Sequence, residues 1–548
     1  MSRSAVVITE AKECNYQTNY VALPKDYGKE SYYKKPEVSN IIKTVHKNLN
    51  DLNKETNFAK QFKNKKVLVK PNLVAPYYKM GYKDEQYPES TDPRVFDAVI
   101  SFLKKYTDNI VIVESSGRGM PTNASFIVAG YDRIAKKHNT GLVALEEQPV
   151  DRYMLPKAEV MKEIFVPRIF SEVIKGDAFY ISVPKMKTNL YTGVTLGFKN
   201  AMGVIPYNLR QRNHNHAINK KLVDMLYLFK PSLVIVDGII GGEGNTPAPV
   251  DPVDSRVIVS GNNCVETDWV ATKIMGINPE EIELLTHAKK AGFGDSKVKV
   301  IGKEKVTKFR KADQSLISDY FHKQFPNIKV LVGHTKTTAP KVESVEKVTK
   351  DVVKEIERAC LGGCLASLRT GFDDLYYQGK DTNFQATFVI GAGIPVGDNV
   401  YYFDRDANAY TVEEIKKLDG PIVNFGTCTK KNFDSCKNIE SIYGCMPKPG
   451  YGMSIVHKVG KSNSNIYSLK NKQLGKIGIH LLKTRRKRIN LVKSGEWVDC
   501  VPSYFEDKIF DIPELTGEQK KKDFIEWPLP KLEGKNKELL LADVKPIK

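Results

Sequence analysis

The stretch Lys65–Val74, KKVLVKPNLV, followed by Asp92–Tyr106, DPRVFDAVISFLKKY, and Asn109–Gly117, NIVIVESSG, decides the fold class. Val67, Leu68 and Val69 form a short β-rich run that stops at a Pro-Asn turn. Asp92-Pro93 is a helix start, and apolar residues then recur at spacings of three and four. A second buried-strand run ends in Ser-Ser-Gly. Strand, helix and strand in this order predict a parallel pair joined by a crossover helix. The pattern returns in DAFYISVPK (177–185), PSLVIVDGIIGGEG (231–244), SRVIVSG (255–261) and VKVIG (298–302). Such alternation argues an α/β fold with a mostly parallel sheet, whose ligands bind beyond the carboxyl ends of the strands.

Working outward, residues 1–303 form this α/β domain. Residues 304–345 are rich in Lys, Thr and Ser and read as a linker with one strand, NIKVLVG. A helix pattern, SVEKVTKDVVKEIERAC (344–360), opens a second, smaller α/β unit over 346–460, with strands in ATFVIGAG, NVYYF and PIVNFG. Residues 461–548 read as a basic peripheral extension.

The 548 residues suffice for two or three domains. No apolar run reaches the roughly 18 residues of a membrane span, and the first residues lack the apolar core of a secretory signal. The expected location is the cytoplasm. Lys and Arg number 84 against 64 Asp and Glu, a net charge of +20. This balance favours anionic partners without choosing among them. The densest run, KTRRKRINLVK (483–493), reads either as a solvated tail or as a polyanion-binding patch. No aromatic residue interleaves with it, which disfavours single-stranded nucleic acid.

The polar motifs of the first domain fall at expected strand ends. PKMKTNLYTGVTLGFKNAMG (184–203) carries Lys185, Lys187, Asn189, Lys199 and Asn200 among glycines. Lys70 and Asn72, then Glu114, Ser115 and Ser116, end the first two strands. RNHNHAIN supplies His214 and His216, and VDGIIGGEGNTP supplies Asp237, Glu243 and Asn245. Ammonium groups, amides and backbone N–H groups beside glycine turns suit an anionic small molecule. Taken singly, each motif is equally a structural turn; together they predict a pocket. Two histidines at i and i+2 do not share a helix face. Neither a Walker A sequence nor a dinucleotide glycine fingerprint is present.

Of eight cysteines, Cys360, Cys364, Cys428, Cys436 and Cys445 fall in one third of the chain. In a cytosolic protein such clustering points to metal or redox chemistry rather than disulfides. Cys360 and Cys364 stand in CLGGC, Cys428 in GTC and Cys445 in GCMP. Glycine lets backbone N–H groups approach a thiolate and proline stiffens the mount. The expected metal ligands are Cys360, Cys364, Cys428 and Cys445, around a 4Fe–4S cluster or, alternatively, a zinc ion; a third reading is five cysteines without metal. Cys436, among polar residues, is the spare. Cys14, Cys264 and Cys500 are isolated.

In this order, VLVKPNLV, IVIVESSG, ISVPKMKTN…TGVTLGFKNAMG, SLVIVDGIIGGEGNTP and NCVETDWVATKIMGINPEEIELLTHAKKAGFG resemble the DUF362 family over roughly residues 64–303. The family's Lys-Thr-His motif has Asn189 at its third position here. Many members carry ferredoxin-like 4Fe–4S modules, which implies redox work. This chain lacks the Cys-x-x-Cys-x-x-Cys rhythm of a ferredoxin. Its cysteine corners resemble more weakly the 4Fe–4S small subunits of hydrogenases and of complex I, with Met446 in place of a proline. The function expected is single-electron transfer to an anionic substrate or cofactor, with a ferredoxin-like donor. The alternatives are a non-redox enzyme on an anionic metabolite with a structural metal, or an assembly or carrier protein.

Overall fold

The computed structural model describes residues 4–14, 23–74, 76, 88–117, 120–161, 163–206, 209–210, 217–333, 340–434, 436, 438–444, 447, 449–464, 474–497 and 540–541. The first unit is built from β1 (Ala5–Glu10), α1 (Pro36–Thr56), β2 (Lys66–Pro71), α2 (Pro93–Leu103), β3 (Ile110–Glu114), β4 (Gly141–Ala144), β5 (Ala178–Val183), β6 (Lys185–Asn189), β7 (Leu233–Glu243), β8 (Val257–Gly261), α3 (Cys264–Ile274) and β9 (Lys299–Ile301). The main sheet runs β9-β1-β8-β7-β5-β2-β3-β4. Neighbours β7, β5, β2, β3 and β4 are parallel, and β8 is antiparallel to both β1 and β7. β6 continues from β5 through Pro184 and pairs with the far end of β7.

Alternation along the strands explains why both faces are covered. Val6, Leu68, Val113, Val234 and Val236 pack into one core, while Val7, Val67, Val69, Ile112 and Ile235 pack into the other. Each such burial contributes about 1.5–3 kcal/mol. A strand buried on both faces has no polar side to show, so it reads as a continuous apolar run. α2 starts where the sequence indicates: the Asp92 side chain accepts from the Arg94 N–H, and Pro93 occupies the first turn.

The second unit comprises β10 (Ile328–Val332), α4 (Cys364–Tyr377), β11 (Ala386–Ile390), β12 (Ile394–Val396), β13 (Asn399–Phe403), β14 (Ile422–Phe425), β15 (Ile439–Ile442) and α5 (Pro449–Val459). Its sheet order is β12-β13-β10-β11-β14-β15, with β10, β11, β14 and β15 parallel. β10 falls inside the 304–345 stretch read as a linker. It pairs with β11 and β13 in the middle of this sheet, so that stretch is partly core of the second unit. The strand expected at NIKVLVG is thus an inner strand of the second sheet, with Val330 and Val332 buried, and not part of a connector.

α6 (Leu474–Lys493) returns to the first unit. The Thr484 hydroxyl donates to Glu147 at 2.6 Å, the Glu496 carbonyl accepts from the Val150 N–H at 2.9 Å, and Trp497 is buried in the first core. Leu540–Leu541 pairs with Tyr153–Met154. Among the described residues, no helix is long and apolar enough to cross a membrane.

Candidate functional site

Lys70 lies at the carboxyl end of β2, Glu114 at that of β3, and both are buried. Burying an unpaired ammonium is costly. Here Lys70 Nζ meets the Glu114 carboxylate at 2.8 Å and also donates to Asn200 Oδ1 at 2.9 Å. Glu114 accepts in addition from the Leu73 and Ser115 N–H groups. Asn200 closes the network by accepting from Asn72 Nδ2 at 3.3 Å and donating to Ser182 Oγ at 3.0 Å. Burial pulls both ions toward their neutral forms, Lys70 down to about 8 and Glu114 up. Gly203 allows this closeness: a Cβ there would stand 2.5 Å from Lys70 Nζ.

Lys185 and Asp237 make a second internal pair at 2.8 Å, and Asp237 also accepts from the Asp92 N–H. Lys70 and Lys185, expected to serve an anion, therefore already face carboxylates of their own chain. Asn189 holds a turn, its side-chain oxygen accepting from Tyr191 N, Thr192 N and Thr192 Oγ1. Glu243 accepts from Arg310 N beside the second unit. His214 and His216 lie outside the described residues.

Two of the expected lysines, Lys187 and Lys199, make no ion pair among the described residues. Lys187, buried, donates to the Glu89 carbonyl, and burial lowers its pKa to about 8. Lys199 is 8% exposed and has no hydrogen-bond or ion-pair partner for its ammonium among the described residues. Burial, helped by Lys187, Arg210 and Lys70, lowers it to about 7. Near these cations Asn72 Oδ1, Ser90 Oγ, Ser115 Oγ and Ser116 Oγ are buried with no hydrogen-bond partner among the described residues. Arg210 reaches the same place, donating to the Ser115 carbonyl at 2.6 Å. Lys199 and these polar atoms, without partners among the described residues and close to Lys187 and Arg210, are what an anionic ligand would satisfy.

A pH dependence follows. An anion binds the ammonium form, so its affinity should fall as pH rises through about 7 to 8. The thermal shift given by inorganic phosphate or a small dicarboxylate should therefore shrink severalfold between pH 6.5 and 8.5. Lys199→Met should bind weakly at both pH values. A pH-independent shift contradicts the assignment. Without ligand the sign reverses: the unfolded chain keeps Lys199 protonated up to about 10.5, so stability rises with pH from about 7 upward.

The cysteine loops lie at one edge of the second sheet. Gly426-Thr427-Cys428 follows β14 and Gly444 follows β15; Thr427 N donates to the Gly444 carbonyl at 3.2 Å, and Gly444 N donates to Thr427 Oγ1 at 2.9 Å. Cys364 opens α4, and its N–H donates to Cys360 Sγ at 3.3 Å. A Cβ on Gly426 (φ +103°) would stand 2.6 Å from Cys364 Sγ. Only glycine lets the second loop lie on that sulfur. Cys428 is half-buried; Cys445, next to Gly444, lies outside the described residues, as does Cys500. Among the described residues no three His, Cys, Asp or Glu side chains gather as a metal cage. Cys436 precedes β15, at the opposite end of that strand from Gly444. Cys14 and Cys264 are buried in the first unit, the latter's thiol pushed up to about 12 by burial.

Gln314, outside the expected set, and Asn245 of the GGEGNTP motif join the two units. Gln314 accepts from Gly362 N, inside the Cys360–Cys364 loop, and donates to the Leu190 carbonyl. Asn245 bonds Asp373 of α4 at 2.8 Å and Asp313 N at 2.8 Å. A cleft of about 440 Å³ runs between the units, with Asn189 and Thr192 on one wall and Glu357 and Leu361 on the other. Glu114 was visible as a polar residue ending a strand. Arg210 and Gln314 carry no periodic or motif signal, so only the fold reveals them.

A family model described as "Domain of unknown function (DUF362)" matches residues 67–273. The Thylakoid-associated protein sll1697 of Synechocystis sp. is 27% identical over 132 residues, 23% of this chain. The match spans 41% of that relative's length. The lactate racemase apoprotein from Thermoanaerobacterium thermosaccharolyticum aligns over 75% of this chain and 91% of its own, at 10% identity and a TM-score of 0.29. A likeness at that level carries no argument.

Proposed function

We propose that this chain is an iron–sulfur redox protein acting on an anionic substrate or cofactor. The observation that carries the reading is the meeting of the Cys360–Cys364 loop, the Gly426-Thr427-Cys428 corner and Gly444, with Gln314 tying the first of these to the Leu190 loop. Cys360, Cys364, Cys428 and Cys445 would hold a 4Fe–4S cluster, and the glycine cradle over Cys364 Sγ suits a sulfur-rich group. Such a cluster supplies single electrons. The protein's own part is to place the acceptor. Lys199 and Lys187 would hold its negative charge, and Ser115, Ser116 and Asn72 would orient it. The Lys70–Glu114–Asn200 network keeps the strand ends fixed. From Leu190 to Lys187 is three residues of chain, about 10 Å at strand spacing. A ferredoxin-like protein would serve as donor.

The same thiols suit a structural zinc ion, with the first unit acting as a non-redox enzyme or carrier. Metal and acid-labile sulfide analysis of anaerobically purified protein separates the two. About four iron and four sulfide per chain are expected for the cluster. Zinc without sulfide would replace the redox reading by the second.

A further inference from the structure

We propose that α6 is a docking face for an anionic lipid surface, on which the protein lies without inserting a span. The helix carries aliphatic residues on both its buried and its exposed face. Ile477 and Thr484 are buried, Leu491 packs against the core, and Lys487 and Thr484 both bond Glu147 of the first unit. The other face carries Ile479 at 54% exposure and Leu482 at 71%, with Ile489 and Val492 also exposed. Positions 475, 478, 479, 482, 486, 489 and 493 share one side of a helix of 3.6 residues per turn. Among the described residues nothing packs over these exposed aliphatic side chains, while the opposite face anchors the helix.

Charge selects the occupant. The helix has seven Lys or Arg residues and no Asp or Glu. Lys483, Arg485, Arg486 and Lys493 are exposed beside the aliphatic residues. Aliphatic side chains flanked by cations fit acyl chains below phosphate headgroups. A nucleic acid would be served by the cations but not by Leu482 and Ile479, and the helix has no aromatic residue for stacking. The charge density also prevents α6 from spanning a bilayer, so the contact is peripheral.

The test uses the full chain and vesicle sedimentation. Vesicles of phosphatidylcholine with about one third phosphatidylglycerol should bind the protein, and pure phosphatidylcholine vesicles should bind at least tenfold less. Leu482→Asp and Ile479→Asp should each lower binding to anionic vesicles about tenfold without changing the melting temperature, since both side chains are exposed. Arg486→Glu, a second exposed position, should lower it as well and flatten its dependence on salt, because fewer cations then face the headgroups. Absence of binding to anionic vesicles overturns the proposal. So does binding that Leu482→Asp leaves intact, which would mean charge adsorption alone. A concentration-dependent dimer abolished by Leu482→Asp, with no vesicle binding, would assign the face to a second copy instead.

Discussion

Glu114→Ala should destabilise the protein by about 3–5 kcal/mol, the cost of leaving a buried charge without its partner. The carboxylate holds Lys70 at 2.8 Å and accepts from two backbone N–H groups, and both side chains are almost wholly buried. Removing it strands an ammonium and two donors at the ends of β2 and β3. The penalty should shrink as pH rises. Lys70 titrates already at about 8 in the folded chain against 10.5 unfolded, and without Glu114 it would titrate lower still. The unfolded state then binds the extra proton across that window, so stability climbs with pH. Glu114→Leu combined with Lys70→Met should recover much of the loss, because a buried pair replaced by apolar residues of similar volume is often neutral. Chemical denaturation of the wild type and the two variants at pH 6, 7.5 and 9 checks this. Equal stability of wild type and Glu114→Ala at pH 6 would mean that the pair is not buried as described.

The second large effect is expected at the cysteine corner. On the proposed reading of the four cysteines, Cys428→Ser should abolish the brown colour that a 4Fe–4S cluster would give the anaerobically purified protein. A hydroxyl is a poor substitute for a cluster thiolate. The first unit should stay folded, since its two cores do not include Cys428. Cys436→Ser should retain the colour, because Cys436 lies before β15 whereas the cradle follows it. Gly426→Ala should behave as the cysteine variant does: its methyl would stand 2.6 Å from Cys364 Sγ, and its backbone has φ +103°. Visible absorbance of the three variants, purified in parallel, reads the outcome. Loss of colour in Cys436→Ser with retention in Cys428→Ser would reassign the ligands.

The α/β class was legible because parallel strands buried on both faces leave unbroken apolar runs, as Val67–Val69 and Leu233–Val236 do. Two strand ends were legible too, since Lys70 and Glu114 close those runs, whereas Asp237 interrupts its run in the middle of β7. Their partners were not: Lys185 meets Asp237 across 52 positions of sequence, and nothing local tells a lysine that will bind a ligand from one that will meet a carboxylate. β10 was legible as the strand NIKVLVG, but its basic flanks assigned it to a linker and not to the second sheet. The 483–493 run was read by charge alone, so its helix and its outward aliphatic face passed unnoticed. Gln314, a single side chain between two loops, has no signature before the units come together.

Low-temperature electron paramagnetic resonance of the anaerobic protein reduced with dithionite tests the central claim most directly. The account predicts a fast-relaxing signal from a reduced iron–sulfur cluster, absent from Cys428→Ser and shifted by an anion that binds wild type but not Lys199→Met. A diamagnetic protein that holds zinc, or a cluster signal indifferent to every anion that binds at Lys199, would contradict it.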